Sequence, residues 1–263
     1  MIEERPEWIV VNKPPGLQVH PKKPGGPRTL WDELRGLLAY ELVNGGSLSI
    51  INRLDRETSG VVLIAKTTAA ARRFHRAMQA RAFAKEYLAL VRGWPEWESH
   101  GVDAPILRQG EVRPSAVYLR RTVHPKGAAA FTRFRVEARL EHPRLARFAL
   151  VRAFPATGRT HQIRVHLAHA GHPILGDKLY GPDPGCYLEF IRTGWTPALE
   201  ARLFMARHAL HSARLGAEVE GICHDWRAED VPDDFATWIA GAGAAPGDGL
   251  RAPWCQTSPA APE

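Results

Sequence analysis

Residues 61–65, Val-Val-Leu-Ile-Ala, form an apolar run with no polar alternation. Successive side chains of a strand point to opposite faces, so a half-exposed strand alternates apolar and polar residues. A β-branched run that does not alternate predicts a strand over 60–66 buried on both faces. Just ahead of it lie Asn52-Arg53-Leu54-Asp55-Arg56 and the turn residues Thr58-Ser59-Gly60. Asp55 is the only acid in the first of these stretches, and two arginines bracket it. Neighbouring guanidinium groups lower a carboxyl pKa by roughly 1 to 3 units, so Asp55 is expected to be ionised at neutral pH. A carboxylate held in this way is either a turn cap or salt-bridge partner or a positioned nucleophile or base. The residues alone leave both readings open.

Strands and helices mix along the chain without a regular βαβα rhythm. This predicts an α+β fold with a mixed, largely antiparallel central sheet and flanking helices and loops. Residues 7–12 read as a strand ended by Lys13-Pro14-Pro15-Gly16, since neither proline donates to a ladder. A helix is expected over 29–42, with Thr29 as N-cap, Asp32 completing a capping box, and Leu30, Leu34, Leu37 and Leu38 as its stripe. Further expectations are a helix over 68–81 capped by Thr67, a strand over 84–93, and an antiparallel pair over 129–140 and 147–158. A last helix over 159–170 is closed by Gly171. In the first strand of the pair Phe134, Val136 and Ala138 face the core. Phe131 falls on the polar side, which suggests a bulge near Thr132. The pattern fades beyond Pro232, and from Ala240 onward the chain is too poor in apolar bulk to pack. One domain over 1–239 and a flexible tail over 240–263 are expected.

Hydrophobic residues make up 44% of the chain and charged residues 24%, as in a soluble globular protein. The net charge of +7 points to an anionic partner. Only seven of the 35 basic residues are lysine. Arginine's planar fork suits phosphates and base stacking, although a GC-rich gene gives the same bias. Lys22, Lys23, Arg28, Arg72, Arg73, Arg76 and Arg81 are candidate phosphate contacts or simply a solvated face. Three widely spaced cysteines without a C-x-x-C pair argue against a disulfide framework. His161, His166, His169 and His172 have no acid or cysteine at metal-ligand spacing, so no metal is expected. The pattern offers neither a P-loop nor G-x-S-x-G. The N-terminus has no apolar leader, and no stretch approaches the ~18 apolar residues of a membrane span. A cytoplasmic monomer is the expectation.

Three segments taken in order carry a resemblance: "IVVNKPPGLQVHP" (9–21), "INRLDRETSGVVLIAKT" (51–67) and "ATGRTHQIRVHLAHAGHPILGDKLYG" (156–181), with "AKEYLALVRG" between the last two. Together they resemble the RluA-type pseudouridine synthases, which isomerise uridine in ribosomal or transfer RNA. The likeness runs from about residue 8 to about residue 215, where "RHALHSARL" is similar to the family's closing segment. It implies the pseudouridine synthase fold, with an active-site cleft across the sheet. Asp55, inside R-L-D-x-x-T-S-G, falls on the family's catalytic aspartate. Tyr87, in K-x-Y-x-A, falls on an active-site tyrosine that stacks on uracil and moves a proton at C5. Arg164, in G-R-T-H-Q-I-R, falls on the basic partner of the aspartate. Arg53, Thr58, His161, Ile163 and Leu167 are implied as substrate-binding residues. For Arg53, filling the space of an extruded uridine and a plain salt bridge weigh equally.

The resemblance further implies that the aspartate attacks or deprotonates the nucleoside while the N-glycosidic bond breaks. The uracil turns and is rejoined through C5, a net isomerisation that needs no redox or metal cofactor. RNA is the implied partner, bound without an S4-type domain ahead of residue 8. Asn52 departs from the family's usual histidine, which leaves the RNA contacts there open. The alternative is a non-catalytic RNA-binding or assembly factor on the same scaffold.

Overall fold

The computed structural model describes residues 1–21, 25–228 and 230–244. In chain order the elements are β1 (Glu3–Glu4), β2 (Trp8–Lys13), α1 (Leu30–Leu37), α2 (Ala39–Val43), β3 (Ser49–Ile50), β4 (Ser59–Ala65), α3 (Thr68–Gln79) and β5 (Phe83–Arg92). Then come β6 (Ser99–Asp103), β7 (Ile106–Arg108), β8 (Arg121–Val123), β9 (Phe131–His142), β10 (Ala146–Pro155) and α4 (Gln162–His169). The chain continues through α5 (Cys186–Thr193), α6 (Pro197–Leu203), β11 (Leu210–Val219), β12 (Ile222–Arg227), α7 (Asp233–Ala240) and β13 (Gly243–Ala244). The architecture is α+β. The main sheet runs β1-β2-β4-β11-β5-β10-β9-β13, with β12 added to β11, β3 to β4 and β6 to β9, while β7 and β8 form a separate hairpin. All pairings are antiparallel except β4 with β11.

Every residue of β4 is buried, because helices cover both faces of the sheet at this point. Val62 and Ile64 join the larger core with Leu30, Leu34 and Leu38. Val61, Leu63 and Ala65 pack on the opposite face with Ala70 and Phe74 of α3. Two-sided burial is the physical reason this strand shows no polar alternation. The capping box forms: the Thr29 hydroxyl accepts from the Asp32 backbone N–H, and the Asp32 carboxylate accepts from the Thr29 N–H at 2.9 Å.

The helix expected over 29–42 is two helices, interrupted at Leu38. Leu37 points to solvent, 63% exposed, so the buried stripe is Leu30, Leu34 and Leu38 at successive fourth positions. The bulge lies elsewhere than Thr132. Thr132 and Phe134 alternate inward normally with Phe131 exposed, and the register shifts at Glu137, where Ala138 pairs Leu150 and Val136 pairs Val151. The segment beyond Pro232 holds α7, whose Phe235, Trp238 and Ile239 enter the main core, and Gly243–Ala244 adds to the edge of β9. Residues 245–263 of the expected tail lie outside the described residues.

Candidate active site

Three chain segments converge beside the carboxyl group of Asp55. The first is the turn carrying Asp55 itself, which leads into β4. Asn52 anchors it: its Nδ2 donates to the Val61 carbonyl at 2.9 Å, and its Oδ1 accepts from the Leu63 N–H at 2.8 Å. An amide can satisfy one strand donor and one strand acceptor at once. Asn52 is thus a backbone clasp, directed at the sheet and away from solvent. Lys13, fully buried at the end of β2, closes the turn from the other side. Its ammonium donates to the carbonyls of Pro14 at 2.8 Å, Leu17 at 2.8 Å and Arg56 at 3.2 Å. Burial, reinforced by Arg207, pulls the Lys13 pKa down to about 7.

The second segment is α4. His161 precedes it in the left-handed region (φ 59°), an uncommon conformation for a residue with a Cβ. Arg164, on the first turn, is buried and donates from each of its three nitrogens to a carboxylate. Its Nη1 donates to Asp55 Oδ2 at 2.7 Å, its Nε to Asp177 Oδ2 at 2.7 Å and its Nη2 to Asp177 Oδ1 at 2.9 Å. Two carboxylates around one buried guanidinium more than offset the desolvation that burial imposes, and its pKa moves up.

The third segment is the turn after α4. Gly176, at φ +74°, lets the chain pass so close to Arg207 that a Cβ there would sit 1.8 Å from the Arg207 carbonyl oxygen. It delivers Asp177, which is completely buried and also accepts from the Leu179 N–H at 2.9 Å and the Tyr180 N–H at 3.1 Å. Burial acts to raise its pKa, but Arg164 dominates and the acid is held far below the carboxylate range.

Asp55 obeys the same balance. Burial raises its pKa, the Arg164 guanidinium overcomes that effect, and the net shift is downward. Its side chain keeps 29% exposure, so the ionised residue is not sealed from solvent. The clamp expected from Arg53 and Arg56 is a correction: both are exposed, and the guanidinium that holds Asp55 comes from Arg164. Between Arg53 and Asp55 the buried Leu54 points inward.

Of the other expected site residues, His161 Nε2 lies 3.9 Å from Asp55 Oδ2. Tyr87, on β5 opposite Ser212, shares one core cluster with Leu54, Ile163 and Leu167. Burial pushes the Tyr87 hydroxyl up to about 12, so it is protonated. Arg53 is exposed. Thr58 and Leu167, 2% and 0% exposed, support the site from behind rather than line it. The Thr58 hydroxyl meets His208 Nε2 at 2.8 Å, and His208 Nδ1 lies 3.2 Å from Glu57 Oε2. Lys178 donates to Glu57 Oε1 at 2.8 Å. Burial works against the Glu57 charge, but His208 and Lys178 bring its pKa down to about 2. Sequence reasoning gave no role to Asp177, Tyr180, His208 or Glu57. The charged and aromatic cluster Asp177-Lys178-Leu179-Tyr180, after a helix end, was the available signal.

The histidines disperse. His166 is buried between the Thr132 hydroxyl at 2.9 Å and the Ala104 carbonyl at 2.9 Å, and His169 is exposed. Among the described residues, no group of three or more His, Cys, Asp or Glu side chains is placed to hold a metal ion. No helix among them is long and apolar enough to cross a membrane. Cys186 and Cys223 are free thiols.

The large, mainly antiparallel sheet with its flanking helices is a fold shared with known proteins. The structure superposes on human RNA pseudouridylate synthase domain containing 4 with a TM-score of 0.69 and 26% identity, covering 91% of each chain. The sequence profile described as RNA pseudouridylate synthase matches residues 7–169, and the chain belongs to that family. Ribosomal large subunit pseudouridine synthase C of Escherichia coli O157:H7 is 40% identical over 228 residues, covering 86% of this chain and 64% of that protein. Ribosomal large subunit pseudouridine synthase D of Yersinia pestis is 36% identical, covering 91% and 69%. For synthase C of Yersinia pestis, 42% identical, the match covers 66% of this chain, and the chain spans about half the length of that relative.

Proposed function

We propose that this protein is an RNA isomerase that converts uridine to pseudouridine in large-subunit ribosomal RNA, with Asp55 as the group that engages the nucleoside. One observation carries the reading. An ionised, partly exposed carboxylate is fixed by a buried guanidinium whose other donors are tied to a second, sealed carboxylate. An anion aimed in this way is oriented before substrate arrives and does not reorganise during the reaction.

In this mechanism Asp55 attacks or deprotonates the bound nucleoside as the N-glycosidic bond opens. The freed uracil turns between the Asp55 carboxylate and the apolar wall of Tyr87 and Ile163, and a C–C bond forms at C5. C5 then loses its proton and N1 gains one, and the neutral Tyr87 hydroxyl can serve this exchange only as a relay, accepting at its oxygen while passing its own hydrogen on. Because the base stays in the molecule, no redox equivalent is consumed. In this reading Arg53, which is exposed two residues before Asp55, fills the stack left by a flipped uridine, whose extrusion costs a few kcal/mol. Large-subunit ribosomal RNA is favoured over transfer RNA by the relatives at 36–42% identity, which carry that substrate in their names.

The test is pseudouridine mapping in ribosomal RNA from cells lacking the gene, complemented with wild type or Asp55→Asn. Wild type is expected to restore specific pseudouridines and Asp55→Asn to restore none while remaining folded. Restoration by Asp55→Asn would remove Asp55 from the chemistry, whereas RNA binding by wild type with no pseudouridine formed would favour a non-catalytic RNA-binding factor.

A further inference from the structure

A hydrogen-bond chain that the proposed reaction does not use ends beside Asp55. The backbone N–H of Arg121, at the start of β8, donates to the Tyr180 hydroxyl oxygen at 2.9 Å. That oxygen lies 2.7 Å from His161 Nδ1. The two contacts favour one placement of the protons, because any other leaves the phenol hydrogen without an acceptor among the described residues. With a backbone N–H already donating to its oxygen, the phenol directs its own hydrogen to the other partner, His161 Nδ1. That nitrogen must then be an acceptor, and a neutral imidazole that accepts at Nδ1 carries its proton on Nε2. The Nε2 atom faces Asp55 Oδ2, the oxygen already taken by Arg164, at 3.9 Å. This is beyond a direct hydrogen bond. The Nε2–H is therefore a donor beside the Asp55 carboxylate, without a protein partner at bonding distance among the described residues.

The geometry points to a second oriented group at this site: Tyr180 locks His161 in its Nε2–H tautomer, and that N–H donates to a carbonyl oxygen of the uracil while the base is detached from the sugar. This rests on the reading that a uridine binds against Asp55. Detached uracil bears negative charge delocalised onto its carbonyl oxygens. A neutral donor stabilises that charge without protonating the base, as preorganised donors do in other anionic transition states. The left-handed backbone at His161 turns its side chain toward both Tyr180 and Asp55, a strained conformation of the kind found at functional positions. The charged and titratable groups around the ring are Asp55 on the turn before β4, Arg164 on α4, Asp177 and Tyr180 on the turn after it, and His208 ahead of β11. Burial and the Arg164 charge bring the imidazole down to about 4, which agrees with a ring that stays neutral at physiological pH. Tyr180 is a positioning residue, since it acts through His161.

The first test is imidazole 15N spectroscopy of the full chain at pH 7, with the His161 signals assigned by their loss in His161→Gln. An unprotonated Nδ1 and a protonated Nε2 are expected, and a mixture of tautomers in Tyr180→Phe. A proton on Nδ1, or on both nitrogens, in wild type overturns the proposal. An unchanged tautomer in Tyr180→Phe removes Tyr180 from it. The second test is pseudouridine formation on unmodified ribosomal RNA. His161→Ala is expected to lower kcat by about 10²–10³-fold with KM little changed. His161→Gln, whose amide offers an N–H near the Nε2 position, is expected to recover most of that loss. His161→Ala at the wild-type rate overturns the role in catalysis. If wild type forms no pseudouridine at all, the functional reading fails, and the spectra still decide whether Tyr180 orients His161.

Discussion

Arg164 reaches Asp55 across 109 residues of sequence, placing Nη1 2.7 Å from Oδ2. The guanidinium cannot turn in place, because its Nε and Nη2 are both bound to Asp177. Asp55 is thus aimed through Arg164 by an acid that never meets solvent. Arg164→Lys keeps the charge but loses the fork, and one ammonium cannot span both carboxylates in this geometry. Asp177→Asn keeps the shape and removes the charge that steadies the fork. Each is expected to lower the rate of pseudouridine formation by about 10²-fold or more and to cost about 3 kcal/mol of stability, as breaking a buried pair does. Single-turnover rates together with urea unfolding check this, and an Asp177→Asn enzyme with unchanged rate would show that Arg164 needs no orienting partner.

Asn52 supplies a second prediction. Its side chain satisfies Val61 and Leu63 of β4 from inside the fold. Asn52→Ala strands a buried N–H and a buried carbonyl, at about 1–3 kcal/mol for each. We expect a destabilised protein whose affinity for RNA, measured well below its unfolding temperature, equals that of wild type. Weakened RNA binding in the folded variant would mean that this residue is read by the substrate after all.

The local features were open to reading and the long-range ones were not. The Thr29–Asp32 capping box and the doubly buried β4 follow from residues adjacent in sequence, and both appear in the structure. The clamp on Asp55 was misread for the same reason. Arg53 and Arg56 are its sequence neighbours, yet both are exposed, and the guanidinium arrives from α4. Only the family motif pointed to Arg164. The break at Leu38 was hidden because the stripe looks continuous whether or not Leu37 is exposed. The helix α7 was legible in principle, with Asp233 and Asp234 in its first turn and Phe235, Trp238 and Ile239 at helical spacing. Its brevity, and the glycine-rich sequence after it, masked the signal.

Glu57 gives the pH dependence a sign. Its folded pKa of about 2 lies below the ordinary value of 4.5, so the folded state favours its ionised form. The stabilisation is fully present above pH 4.5 and is lost progressively as the pH falls toward 2. The shift corresponds to at most about 3 kcal/mol. Asp177 is lowered as well and adds to the same acid sensitivity. Urea unfolding at pH 6 and pH 3 should show a large drop for wild type and a smaller one for Glu57→Gln. Equal drops in the two proteins would mean that the contacts of Glu57 with His208 and Lys178 contribute nothing to stability.

Gly60 separates a steric requirement from a merely flexible one. It opens the parallel pairing of β4 with β11, opposite Ser212, at φ +112°. A Cβ built on it would lie 2.1 Å from the Ser212 carbonyl oxygen and 2.6 Å from its nitrogen, and neither backbone atom can swing away. Gly60→Ala must therefore part the two strands directly behind the Asp55 turn. A loss of more than about 3 kcal/mol is expected, or a fall in Tm of roughly 6–12 °C for a domain of this size. The natural control is Gly36, inside α1, where a Cβ meets nothing within 4 Å. There alanine removes backbone entropy from the unfolded chain at no steric cost, and a gain of up to about 1 kcal/mol is expected. Thermal unfolding of the two variants side by side decides the matter, since a Gly60→Ala protein as stable as wild type would mean that β4 and β11 do not approach as closely as this pairing requires.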